Sequence, residues 1–231
     1  MNVTIGTSGF SYPKWKGKFY PEKLPNAKML SYYATQFGGV ELNNTFYRMP
    51  TEKALASWRD EVPEPFRFAI KSPQQITHKQ RLVDSGDTVA HLVKLLGTLG
   101  EKCGPILFQL PPFMKKDVER LKSFLALLPK GTRAAFEFRH LSWFEADVFD
   151  ALKSSGAALC IAEGEKIVTP MEATADWGYL RLRRTDYTEK DLAAWAEKLR
   201  AQKWRDAFVF FKHEDEPTGP AFAVQFTLLL R

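Results

Sequence analysis

The chain has 231 residues, 45% of them hydrophobic and 26% charged, and a net charge of +6. This is the composition of a folded globular protein and excludes a disordered or collagen-like chain. No apolar run approaches the roughly 20 residues of a membrane span, and no repeat of solenoid period is present.

Short β-rich runs alternate with longer helical patterns from one end of the chain to the other, the pattern of a parallel α/β sheet. The first run, residues 3–7, begins at Val3 and leaves no room for a signal peptide, so a cytoplasmic location is expected. Its Gly6-Thr7-Ser8-Gly9 ending reads as a tight turn. A second strand is expected over 40–43. Thr51 then caps a helix that buries Leu55, Trp58 and Val62. The third strand covers 66–71, followed by helical spacing at Val89, Leu92, Val93, Leu96 and Leu99. The fourth covers 106–110, followed by Val118, Leu121, Leu125 and Leu128. After a fifth strand over 134–139, Ser142 and Glu145 have capping-box spacing ahead of Val148, Phe149 and Leu152. A sixth strand covers 157–162, but residues 163–177 carry little helical pattern. The seventh strand covers 179–183. Thr188 and Asp191 cap a helix burying Leu192, Trp195 and Leu199, and the eighth strand covers 207–212. Eight strands, closed, predict one α/β domain over 1–231. It is a single (β/α)8 TIM-type barrel with an irregular or absent helix after strand six.

Alternate side chains of a barrel strand face the helices or the interior. With Val40 and Leu42 outward, Glu41 and Asn43 point in. The same parity turns Lys71, Gln109, Glu137, Arg139, Arg181, Arg183 and Lys212 inward. Six strands therefore aim a polar group at the interior near their C-terminal ends, where barrel enzymes place their sites. Unpaired buried charges cost several kcal/mol on the order given by. These groups must pair, meet water or meet a ligand.

The chain resembles the YecE-like family, also called domain of unknown function 72. The resemblance rests on Gly6-Thr7-Ser8-Gly9, Glu41-Leu42-Asn43-Asn44-Thr45-Phe46-Tyr47, and Phe68-Ala69-Ile70-Lys71-Ser72-Pro73 with Thr77-His78. It extends to Phe108-Gln109-Leu110-Pro111-Pro112 and Glu137-Phe138-Arg139-His140-Leu141-Ser142-Trp143. Phe10 replaces a common Trp, Arg183-Arg184 a common His-Gly, and Lys212-His213-Glu214-Asp215 an Asn-rich ending. The resemblance implies a TIM-type barrel and brings no established activity.

The inward cations Lys71, Arg139, Arg181, Arg183 and Lys212 point to an anionic, above all phosphorylated, small molecule, with Arg supplying bidentate forks. The alternative is a structural network in which Glu41 and Glu137 neutralise them. Glu41 and Glu137 also have the residue types of a glycosidase pair, but five nearby cations would keep both ionised, and a general acid needs a raised pKa. His78, in a mouth loop, is the expected proton carrier, or else a loop residue that holds backbone. Asn43, Tyr47, Gln109 and Trp143 complete the expected ligand contacts, and the catalytic set is Glu41, Lys71, His78 and Glu137.

Tyr12, Trp15, Tyr20, Phe46, Tyr47 and Trp143 either offer rings to a base or sugar or plug the barrel top. No metal is expected, since the four histidines lack ligand spacing; the run His213-Glu214-Asp215-Glu216 reads as a solvated loop. Neither a Gly-x-Ser-x-Gly elbow nor a dinucleotide or Walker loop is present, and no cofactor is expected. Cys103 and Cys160 read as two buried thiols. Three functions stay open: a hydrolase or isomerase on an anionic substrate, a nucleic-acid-binding barrel with or without phosphodiesterase activity, and a non-catalytic adaptor.

Overall fold

The computed structural model describes residues 1–164, 167–212 and 217–230. Its eight strands are β1 (Asn2–Thr7), β2 (Gly39–Leu42), β3 (Arg67–Lys71), β4 (Cys103–Gln109), β5 (Ala134–Glu137), β6 (Ala158–Glu163), β7 (Trp177–Leu182) and β8 (Asp206–Phe211). They form one sheet in the order β1-β8-β7-β6-β5-β4-β3-β2. All seven of these joints are parallel ladders. The eighth joint closes the barrel. Ser8 bridges Glu41 there, and the Gly9 N–H donates to the Glu41 carbonyl at 2.8 Å.

That closure explains two glycines. A Cβ at Gly6 would fall 1.9 Å from the Gly39 carbonyl oxygen, and one at Gly39 would meet Thr4 at 2.5 Å. Gly6 is therefore needed for close approach of β1 to β2, whereas Gly9, at φ +93°, supplies the turn. The Tyr33 hydroxyl fastens the same joint, accepting from the Thr7 N–H at 2.7 Å and donating to the Gly39 carbonyl at 3.1 Å.

Helices follow the strands as the alternation predicts. α1 (Met29–Gln36) follows β1, and α2 (Asn44–Tyr47) and α3 (Glu52–Asp60) follow β2. α4 (Gly86–Leu96), α5 (Val118–Leu125) and α6 (Ala146–Ser155) follow β3, β4 and β5, while α7 (Glu189–Arg200) and α8 (Thr218–Leu229) follow β7 and β8. Between β6 and β7 there is no helix among the described residues. Val168 pairs back on Glu163, and the Thr174 hydroxyl ties to Leu159 and Ala157.

Thr51 caps α3 by accepting from the Ala54 N–H, and Thr188 and Asp191 form a reciprocal capping box on α7. The capping box expected at Ser142 and Glu145 does not form. Residues Leu141–Trp143 make a separate 3-10 turn, and the Ser142 hydroxyl is used by the Lys116 N–H at 2.9 Å.

Strand parity sorts the core into two layers. Val40, Leu42, Phe68, Ile70, Phe108, Phe136, Leu180 and Leu182 pack outward against the helices. Ala69, Leu107, Ala135, Ala158, Cys160, Tyr179, Phe208 and Phe210 fill the barrel. Each large apolar side chain so buried contributes roughly 1.5–3 kcal/mol. Among the described residues no helix is long and apolar enough to cross a membrane.

A cleft of about 460 Å³ opens at the N-terminal ends of β3 to β5, opposite the mouth. Its Arg133 is paired with Asp206, and its Arg67 caps carbonyls of the turn preceding β3. These partners account for its two arginines without a ligand.

Candidate functional site at the barrel mouth

Arg181, on β7, is fully buried at the centre of the barrel. Its guanidinium donates to Glu137 of β5 at 2.5 Å and to Glu41 of β2 at 2.7 Å. The rest of both carboxylates is also used. Ser8 and Tyr179 donate to Glu41 at 2.7 Å each, and Gln109 donates to Glu137 at 2.9 Å. Arg183 stands 3.6 Å from Glu137. Burial alone would raise the pKa of either glutamate. The Arg181 charge and hydrogen bonds outweigh it, lowering Glu41 and, with help from Arg183, pulling Glu137 down to about 2. Neither carboxyl can hold a proton at neutral pH, so neither suits the acid of a glycosidase pair. For these three residues the structural network is what forms.

Lys71, at the end of β3, is different. It is 9% exposed, yet no described residue hydrogen-bonds or ion-pairs with its ammonium, which sits 4.1 Å over the Phe46 ring. Burial and the neighbouring Arg181 charge push its pKa down to about 8, against the pull of Glu41 and Glu137; Lys212 pushes the same way. The Thr45 hydroxyl lies 2.7 Å from the Lys71 carbonyl and 2.9 Å from that of Leu42, fixing the ends of β2 and β3 together.

His78 packs edge-on against Phe46, with the two rings 4.9 Å apart. Its Nδ1 is 2.9 Å from the Thr77 hydroxyl. Burial, Lys71 and Arg139 all depress its pKa, leaving it neutral near pH 7. It is carried on a π-helical turn, Gln75–Lys79, and the loop beyond places Arg81, Leu82 and Asp84 at positive φ. Such backbone costs about 1–3 kcal/mol per residue and clusters at functional sites.

The remaining expected contacts divide. The ladders stop short of Asn43, Arg139, Arg183 and Lys212, which begin the mouth loops instead of ending strands as expected. Both side-chain atoms of Asn43 are buried without a hydrogen-bond partner, as is Nε of Arg183. Arg139 is half-buried, and no described residue pairs with it. Tyr47 stands 75% exposed at the rim.

Trp143 does not reach the site. It is fully buried, stacked on Phe138 at 4.6 Å, and its Nε1 donates to the Met114 carbonyl at 2.7 Å. Trp15 and Tyr20 are likewise buried, in a cluster with Phe19, so these loop rings plug the structure. His213, Glu214, Asp215 and Glu216 lie outside the described residues. Among the described residues no three His, Cys, Asp or Glu side chains gather as metal ligands. Cys160 is buried, Cys103 only half so, and both thiols are free.

Ser8, Thr45 and Tyr179 are site residues the sequence reading does not single out. Tyr179 lies two positions before Arg181 on the same strand face, so parity points to it. Ser8 and Thr45 follow strand ends and carry no such signal.

Fold and mouth together define a TIM-type barrel protein with a charged rim built from the C-terminal ends of its strands. The family model "Protein of unknown function DUF72" matches residues 4–231, and the chain belongs to that family. The UPF0759 protein YunF of Bacillus subtilis (strain 168) is 26% identical over 93% of this chain and 79% of its own length. The crystal structure of the DUF72 family protein TM1631 from Thermotoga maritima MSB8 superposes with a TM-score of 0.89 at 27% identity, covering 100% of this chain and 99% of that one. A DUF72 family protein from Enterococcus faecalis V583, EF0366, shares the fold at a TM-score of 0.84 and 19% identity, over 99% of this chain and 95% of its own.

Proposed function

We propose that the mouth binds a small anionic molecule, phosphorylated or carboxylated, and acts on it by hydrolysis or isomerisation. The observation that carries this reading is the division of the cations. Arg181 is neutralised by Glu41 and Glu137, whereas Lys71 and Arg139 have no counter-ion among the described residues. Among the described residues four cations (Lys71, Arg139, Arg181 and Arg183) face two carboxylates (Glu41 and Glu137), a positive surplus that an anion would balance. Arg139 and Arg183 hold the anion, the Asn43 amide contributes a donor and an acceptor, and His78 moves protons. Glu41, Glu137 and Gln109 are the frame that fixes Arg181. Two free thiols fit the reducing cytoplasm as the place of action.

The nucleic-acid alternative has less support, because three of the six candidate rings, Trp15, Tyr20 and Trp143, are buried, and only Tyr47 stands exposed at the rim. A non-catalytic adaptor would not need a buried, unpaired lysine.

The test is thermal unfolding with inorganic phosphate, pyrophosphate, sugar phosphates and short oligonucleotides, on wild type and Arg139→Ala. A ligand at 100 times its Kd adds about 2.7 kcal/mol. A small-anion response weakened in Arg139→Ala is the expected result. No response to any small anion refutes the reading, and a response confined to oligonucleotides, falling steeply with salt, replaces it with the nucleic-acid one.

A further inference from the structure

We propose that Lys71 is a Schiff-base lysine, whose amine condenses with the carbonyl carbon of an anionic aldehyde or ketone held at the mouth. This deepens the anion reading and rests on it.

The protein contains its own control for what a structural buried lysine looks like. Lys102 is as buried as Lys71, at 7% exposure, but donates to the carbonyls of Arg59 at 2.9 Å and Val62 at 2.7 Å and meets Glu64 at 3.4 Å. Lys71 makes none of these contacts. Its ammonium has the Phe46 ring on one side and like charges around it, while the two nearby carboxylates are committed to Arg181. An amine desolvated beside other cations is the arrangement that activates a lysine as a nucleophile. With its pKa at about 8, on the order of a hundredfold more of it is neutral amine at pH 7.5 than for an ordinary lysine.

The other groups suit a carbonyl substrate. Thr45 fixes the Lys71 backbone, and the Asn43 amide is buried with no hydrogen bond made. Neutral His78 lies against the same Phe46 ring as Lys71. The neutral amine adds to the carbonyl carbon, forming the C–N bond as the C=O π pair moves to oxygen. One proton passes from nitrogen to that oxygen to give the carbinolamine. The C–O bond then breaks and the hydroxyl leaves with the second amine proton as water, leaving the imine. The protonated imine withdraws electrons from the adjacent carbon, so the chemistry it serves is proton transfer next to the carbonyl, as in an isomerisation.

The experiment uses the full chain at pH 7.5 with sodium cyanoborohydride and either glycolaldehyde phosphate or uncharged glycolaldehyde. Peptide mass spectrometry compares labelling of Lys71 with that of exposed Lys53. Lys71 should be reduced onto glycolaldehyde phosphate at least about tenfold faster than Lys53, since its larger neutral fraction outweighs its lower intrinsic basicity. Inorganic phosphate should compete, and Arg139→Ala should slow the phosphate reagent alone. Lys71→Arg keeps the charge and should leave Lys53 labelling unchanged. Labelling of Lys71 no faster than Lys53 with both aldehydes overturns the proposal, even where inorganic phosphate stabilises the protein and the anion reading stands. Fast labelling by glycolaldehyde, with no competition from phosphate and no effect of Arg139→Ala, supports the reactive amine and overturns the anion reading.

Discussion

Replacing Lys71 by methionine should make the protein more stable at neutral pH. The side chain stays unbranched, ends one atom shorter and loses its charge, so the contact with Phe46 becomes apolar. In the wild type the amine falls from its ordinary 10.5 to about 8 on folding, which corresponds to about 3 kcal/mol at ~1.4 kcal/mol per pH unit. The sign follows from proton counts. Between pH 8 and 10.5 the unfolded chain holds a proton that the folded chain has released, so wild-type stability rises with pH across that window. Below pH 8 the full penalty is present. Lys71→Met removes it but forfeits a cation–π contact worth about 1 kcal/mol, for a net gain of about 2 kcal/mol at pH 7. Urea unfolding of both proteins at pH 7 and pH 10.5 measures the difference, in which the tyrosines and other titrating groups cancel. The difference should shift by about 3 kcal/mol between those two pH values, from a gain of about 2 kcal/mol at pH 7 to a loss of about 1 kcal/mol at pH 10.5. A variant less stable than wild type at pH 7, or a difference that ignores pH, would refute the account of Lys71 as an uncompensated charge.

Four further outcomes follow from the barrel itself. Glu137→Gln leaves Arg181 half-neutralised in the interior and should cost about 3–5 kcal/mol in urea unfolding; a loss below about 1 kcal/mol would mean water reaches the network. Because the Glu137 pKa is depressed to about 2, the folded state binds fewer protons than the unfolded state below the ordinary carboxylate range. Wild-type stability should therefore fall as pH drops from about 4.5 towards 2, and Glu137→Gln should flatten that slope in an acid titration followed by circular dichroism. Gly6→Ala, whose Cβ would sit 1.9 Å from a backbone oxygen, should cost at least about 3 kcal/mol; a melting temperature within a degree or two of wild type would show that the closing joint yields. Trp143→Ala should lose about 3–5 kcal/mol as a core cavity, while the folded protein keeps its response to anions; loss of that response at full stability would restore Trp143 to the site.

The period-2 alternation of the strands made the fold and the direction of the mouth residues readable in advance. Phe68 and Ile70 did turn outward, and Lys71 and Glu137 inward. What alternation cannot give is distance across the barrel. Arg181 meets carboxylates on β2 and β5, strands that are not its neighbours, and only the closed geometry decides that Arg181 is neutralised while Lys71 is left alone. Both look alike in sequence, as inward cations at strand ends. Trp143 misled for a related reason: a loop aromatic after a strand turns either to the mouth or behind it, and the Phe138 face decided. Helix α8 escaped the apolar spacing because Thr218–Leu229 is hydrophobic on nearly every side, so no periodic contrast marks it. Ser142 and Glu145 had the right spacing for a cap, but the 3-10 turn at Leu141–Trp143 spent the serine elsewhere.

The joint between β1 and β2 gives the barrel a mechanical character. Seven joints are laced by ladders, and among the described residues the eighth is held by the Ser8–Glu41 bridge with its Gly9 N–H bond, by the Ser8 hydroxyl on the Glu41 carboxylate and by the Tyr33 phenol. The molecule is thus a rolled sheet fastened by a clasp, and strain applied to it will be felt first at that fastening. Glu41 belongs to the clasp through its backbone and to Arg181 through its carboxylate. A displacement of the clasp would therefore shift one of the two counter-ions of Arg181, and with it the field at the mouth. Closure of the barrel and neutralisation of Arg181 thus meet in one residue.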